Sequence, residues 1–149
     1  MHGELNGYDV GVLRLAALKG VFTPIVSETV SYVNAPLLAE QRGGVAVRLV
    51  QDDVSEEYRN VITLRGALAD GSQVSVSGTL TGPKQIEKLV AINGHAVELP
   101  IEKHHVVMLY TDRPPGIVAV YGQRFGDAGI NIAGMQIARE TPAARRSAC

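Results

Sequence analysis

The chain has 149 residues, 46% of them hydrophobic and 19% charged, which is apolar enough for one ordinary domain or two small ones and argues against disorder. Fourteen Lys and Arg against fifteen Asp and Glu give a net charge of −1, without the basic excess of a general nucleic-acid binder. The single cysteine, Cys149, excludes a disulfide framework and a CxxC metal site and suits a reducing compartment. No apolar run approaches the length of a membrane-spanning helix, and Met1-His2-Gly3-Glu4-Leu5 lacks the basic and apolar regions of a signal peptide. A soluble, cytoplasmic α+β protein is expected.

From Val10 to Phe22 the stripe Val12, Leu15, Ala16, Ala17 and Leu18 predicts a helix, with Arg14 and Lys19 off the stripe and Gly20 as a stop or kink. A second helical stretch covers Thr23 to Arg42, with Pro24 in its first turn. Within it Asn34-Ala35-Pro36 is either a re-start with Asn34 as N-cap or a kink in one long helix. Leu37 and Leu38 are expected to pack inward, and Gly43-Gly44 to end the helix.

The period then becomes two. Val45, Val47 and Leu49 alternate with Ala46, Arg48 and Val50, predicting a strand, and Gln51 to Arg59 is a polar loop. Ile62, Leu64, Gly66 and Val74, Val76, Gly78 form two alternating runs around the hairpin signal Asp70-Gly71, with Ser75, Ser77 and Thr79 on the other face. A second hairpin is predicted at Asn93-Gly94, between Leu89–Ile92 and Ala96–Leu99.

Pro100-Ile101-Glu102-Lys103 reads as a linker. Beyond it come a short strand, Val106 to Tyr110, a turn at Asp112-Arg113-Pro114-Pro115-Gly116, and a helix carrying Ile117, Val120, Tyr121 and Phe125 on one stripe. Asp127-Ala128-Gly129 ends that helix and Ile130 to Ile137 returns as a strand, a compact βαβ unit. After Arg139 no period remains, and a disordered tail is expected over 140–149. The predicted units are therefore 1–101, helices packed on an antiparallel sheet, and 102–139, an incomplete ferredoxin-like βαβ.

Catalytic signatures are missing. His104 and His105 are adjacent, so in a strand they point to opposite faces and cannot share one ion, and no metal site is expected. Ser75-Val76-Ser77-Gly78 sits on a strand rather than at a strand–helix turn, and no GxGxxG fingerprint occurs. The turn after Tyr110-Thr111-Asp112 is different, because helix-start N–H groups there can hold a carboxylate and the Asn131 amide can both donate and accept. Two readings stay open: a small amino-acid site, or Asp112 as a simple helix cap with Asn131 in solvent.

The stretches Asp112-Arg113-Pro114-Pro115-Gly116-Ile117-Val118 and Gly126-Asp127-Ala128-Gly129-Ile130-Asn131-Ile132-Ala133 resemble the opening βαβ of an ACT domain. The residues before them resemble the allosteric-substrate-binding (intervening) domain of long-form D-3-phosphoglycerate dehydrogenases. That likeness runs through Leu15-Ala16-Ala17-Leu18-Lys19-Gly20, Tyr32-Val33-Asn34-Ala35-Pro36-Leu37-Leu38-Ala39, Ser77-Gly78-Thr79-Leu80 and Ile92-Asn93-Gly94.

The resemblance implies a parent enzyme that oxidises 3-phosphoglycerate with NAD in L-serine biosynthesis, with the NAD-binding and catalytic domains absent here and no cofactor in this chain. It implies L-serine bound between subunits as a feedback effector, with Tyr110 and Asp112 at the strand end, Gly116 and Ile117 supplying turn and helix-start backbone, and Asn131 holding serine. It also implies a site for anionic substrate at Lys88, with His95 standing where some relatives carry arginine. The expected partners are L-serine, further copies of the chain and the parent's catalytic domain, with no nucleic acid and no membrane.

Three departures accompany the likeness. The chain begins at the end of the intervening domain's first strand. The usual Asp-Arg-Pro-Gly gains a proline at Pro114-Pro115, and the ACT pattern stops after βαβ, so a regulatory fragment is expected. Two rivals remain open, the small subunit of an iron–sulphur L-serine dehydratase and a structural dimerisation module whose effector site has decayed.

Overall fold

The structure, a computed structural model, describes residues 1–42, 47–55, 57–101, 105–108 and 115–138. Its elements are β1 (His2–Gly3), a 3-10 turn (Glu4–Gly7), α1 (Gly11–Phe22), α2 (Ala35–Gln41), β2 (Asn60–Ala67), β3 (Gln73–Thr81), β4 (Ile86–Ile92), β5 (His95–Pro100) and α3 (Ile117–Asp127). The five strands form one antiparallel meander in the order β1-β2-β3-β4-β5. The α+β class is as expected.

Both expected hairpins form, each for a local reason, although β2 and β3 are joined through residues 68–72 rather than by a two-residue Asp70-Gly71 turn, and Asp70 does not take a positive φ. At β2–β3, Gly71 takes φ 83°, and the Asp70 carboxylate accepts from the Ser72 backbone N–H at 2.9 Å and its hydroxyl at 2.6 Å. At β4–β5, Asn93 and Gly94 both hold positive φ, 49° and 78°, as a two-residue turn matching the strand twist requires. The Asn93 side chain then accepts the Ser75 N–H at 2.8 Å, tying this turn to β3. A third turn, Gly82 to Gln85, with φ 67° and 52° at its ends, lengthens β3 and β4 beyond the expected runs.

The second helical stretch is a re-start. Only Ala35–Gln41 is helical, and Asn34 stands at the N-cap position, its carbonyl accepting the Leu38 N–H at 3.0 Å but its side chain making no cap bond to the helix. Its side chain instead accepts from the Ser31 N–H (2.7 Å) and hydroxyl (3.0 Å) and donates to the Thr29 carbonyl (3.0 Å). That closed turn folds α2 back against α1, which runs unbroken through Gly20. Leu18 and Phe22 of α1 pack with Val30 and with Ala35, Leu38 and Ala39 of α2, flanked by Val26 and Val47. Leu37, expected inside, is 57% exposed. The cluster contains no strand residue, so the helix pair builds its own core instead of lying on the sheet.

Residues 47–50 of the strand predicted at 45–50 are not a strand; 45 and 46 lie outside the described residues. The neighbouring chain is engaged by the N-terminal residues instead. The Met1 amine donates to the Val50 carbonyl (2.8 Å), the Asp52 N–H to Met1 (2.9 Å), and the Gly3 N–H to Asp52 (3.0 Å). The pairing joins residues some fifty positions apart, which local periodicity does not encode.

Of the βαβ unit the helix is present, while residues 105–108 and 130–138 form no ladder among the described residues. Two strands joined by a helical crossover are parallel and gain little without further neighbours. Ile117, Tyr121 and Phe125 of α3 are half-buried, none of its residues is fully buried, and Val118 and Val120 are exposed.

Candidate functional site

Gly116 precedes α3 in the left-handed conformation (φ 84°), which suits glycine at the entry to this helix. Its carbonyl accepts the N–H groups of Ala119 (3.0 Å) and Val120 (3.3 Å). The N–H groups of Ile117 and Val118 precede the first intrahelical bond and point out of the helix start, the arrangement that favours a carboxylate. Tyr110 and Asp112 lie outside the described residues.

At the other end, Gly129 (φ 69°) stops the helix. Its N–H donates to Gly126 at 3.0 Å, and the Ile130 N–H reaches back to Phe125 at 2.8 Å. Asn131 follows immediately and is exposed. An eleven-residue helix spans roughly 16 Å at 1.5 Å per residue, so Gly116 and Asn131 of one chain sit at opposite ends of α3. Within one chain the two therefore flank α3, one before its start and one just past its end.

Lys88 and His95 are likewise kept apart. In a regular hairpin through Asn93-Gly94 they share a face. The register shifts between Leu89 and Ala91, so Lys88 stands opposite Thr79 and Pro100, while His95 stands opposite Ile92, itself paired with Val76. Val76 and Thr79 are three residues apart on β3 and face opposite sides of the sheet. The bulge therefore turns Lys88 onto the hydroxyl-bearing face, where Thr63 and Ser77 bond each other at 2.9 Å and buried Thr79 donates to the Asn60 carbonyl. On the apolar face, the His95 Nδ1 is buried and has no hydrogen-bond partner among the described residues.

One neighbour of Lys88 escaped the sequence reading. Its ammonium pairs with the Glu98 carboxylate at 3.2 Å. Regular pairing sets these residues on opposite faces, so only the bulge reveals them as partners. The Glu98 N–H, on the outer edge of the sheet, is taken by the Gln136 side chain at 2.7 Å.

Among the described residues no three His, Cys, Asp or Glu gather as a metal site, and no helix is long and apolar enough to cross a membrane. An open groove of about 520 Å³ lies between α1 and residues 47–49, lined by Arg14, Leu15, Val47 and Arg48, away from the residues above.

The described residues thus make a small α+β module. Residues 1–93 match the sequence model of the D-3-phosphoglycerate dehydrogenase intervening domain, and the chain belongs to that family. It is similar to proteins named D-3-phosphoglycerate dehydrogenase from Mycobacterium leprae (38% identical over 141 residues, 95% of this chain) and Mycobacterium tuberculosis (40% over 140 residues, 94% of this chain). A third, from Methanocaldococcus jannaschii, is 32% identical over 141 residues. The likeness runs past the family model into the segment with α3. The chain spans about a quarter of the length of these relatives, 26% in each case.

Proposed function

We propose that this chain is the regulatory and oligomerisation portion of a D-3-phosphoglycerate dehydrogenase, and that two copies together bind L-serine as a feedback effector. The observation that carries it is the length of α3, which separates the Gly116–Ile117 helix start from Asn131 and so calls for a site shared between chains. The helix-start N–H groups hold the serine carboxylate, the partner's Asn131 amide holds its amino group or carboxylate, and Tyr110 and Asp112 shape the turn. The half-buried stripe Ile117, Tyr121 and Phe125 and the exposed Val118 and Val120 supply apolar surface for the second copy.

In this proposal the parent enzyme oxidises 3-phosphoglycerate with NAD in the cytoplasm, as the first step of L-serine biosynthesis. This chain has no glycine-rich dinucleotide fingerprint, so NAD and catalysis are assigned to the remaining part of the parent. Lys88 is a contact for an anionic substrate on the hydroxyl face; His95, on the other face, is not its partner within one chain. Calorimetric titration with L-serine, with D-serine as control, tests the effector proposal. Stereoselective, saturable heat that disappears in Asn131→Ala supports it. Absence of binding favours a structural dimerisation module.

A further inference from the structure

We propose that Asn93-Gly94 is a modification site, a deamidation centre that the folded hairpin holds shut and that opening of the β4–β5 turn releases to form isoaspartate. Glycine after asparagine puts no side chain in the way of attack by its own backbone nitrogen. The Gly94 nitrogen bonds to the Asn93 Cγ and gives up its proton, and ammonia leaves Cγ, closing a succinimide ring. Water then adds at either ring carbonyl and breaks one C–N bond, leaving aspartate or isoaspartate. Water is the only co-reactant.

The fold opposes the ring closure at two points. Val76 stands opposite Ile92, so the next pair along the β3–β4 ladder is Ser75 with Asn93. There the Asn93 N–H donates to the Ser75 carbonyl at 2.8 Å, and the Ser75 N–H donates to the Asn93 side-chain oxygen, also at 2.8 Å. The oxygen on the reacting carbon thus takes the place of a strand carbonyl. Both turn residues are also fixed at positive φ, 49° and 78°, by the pairing of Ile92 with His95. Bringing Cγ to the Gly94 nitrogen rotates the Asn93 side chain and pulls its oxygen off Ser75, so the reaction proceeds from the opened turn. Isoaspartate does not fit back, because it routes the backbone through the former side chain and adds a methylene to a two-residue turn.

The test incubates the full chain at mildly alkaline pH in buffer and in urea, and follows aspartate and isoaspartate at position 93 by peptide mapping. Modification is expected to be about ten-fold or more slower in the folded chain, as a turn open in roughly a tenth of the molecules or fewer requires. Chains converted to isoaspartate in urea are then returned to buffer, and are expected to unfold at a lower urea concentration than unmodified chains. Equal or faster modification in the folded chain overturns the gate. Absence of modification at Asn93 in urea overturns the site itself. An isoaspartate form with an unchanged unfolding midpoint overturns the claim that the product cannot rebuild the turn.

Discussion

The carbonyl oxygen of Arg59 occupies the space in which a side chain at Gly3 would begin, since a β-carbon there lies 2.2 Å from it. Gly3 adopts φ 107°, pairs with Asn60 and donates its N–H to the Asp52 carbonyl at 3.0 Å. The Asn60 side chain accepts the Leu5 N–H at 2.8 Å, so one short clasp joins the N-terminal residues to both the loop and β2. Gly3→Ala is predicted to cost roughly 2–4 kcal/mol, because it combines a backbone clash with a disfavoured φ. Urea denaturation checks this; an unchanged midpoint contradicts the clasp.

Asn34 acts as a turn lock rather than as a helix cap. Asn34→Ala removes the acceptor for the Ser31 N–H and hydroxyl and the donor to Thr29, for an expected loss of about 1–2 kcal/mol. Asn34→Asp keeps the acceptor and is expected to cost less. A cap role predicts instead that Asp equals or exceeds Asn at this position. Equal denaturation midpoints for Asn34→Asp and wild type contradict the lock.

The Asp70 carboxyl is held below its ordinary value, chiefly by the Ser72 hydroxyl and then by the Ser72 backbone N–H. A depressed carboxyl contributes stability above its unfolded value and loses it as pH falls through the folded value. The β2–β3 turn is therefore expected to loosen under acid conditions, below the usual carboxylate range. Asp70→Asn removes that dependence, and Ser72→Ala moves the carboxyl back toward its ordinary value. A carboxyl titration followed by NMR checks both, and an unmoved Asp70 in Ser72→Ala rules the cause out.

Gly129→Ala imposes a left-handed backbone on a residue with a β-carbon, for about 1 kcal/mol, felt locally at the end of α3. Amide exchange is expected to rise at Ile130 and Gly129, whose N–H groups close the helix, while the β3–β4 ladder stays protected. Uniformly faster exchange across the sheet contradicts the separateness of α3.

What was legible in the sequence was local. Asp70-Gly71 and Asn93-Gly94 demand particular backbone angles, so their hairpins could be read directly, as could the stop at Gly129. The β1–β2 pairing was hidden because its partners lie far apart in sequence. The bulge between Leu89 and Ala91 was hidden for another reason. One extra residue turns Lys88 over, separates it from His95 and joins it to Glu98, and no spacing rule announces it. Asn131 was singled out by its chemistry, but its distance from Gly116 follows only once α3 has a measured length.

The shared site is tested most directly by complementation. Gly116→Val damages the helix-start half of the site and Asn131→Ala the amide half, so each variant alone is expected to lose L-serine binding. Mixed in equal amounts and allowed to exchange subunits, they are expected to regain about a quarter of the wild-type stoichiometry, since half the pairs are mixed and each carries one intact site of two. Recovery of stereoselective heat on mixing is the predicted result. Binding by either variant alone at full strength, or no recovery in mixtures shown to have exchanged, contradicts a site built from two chains.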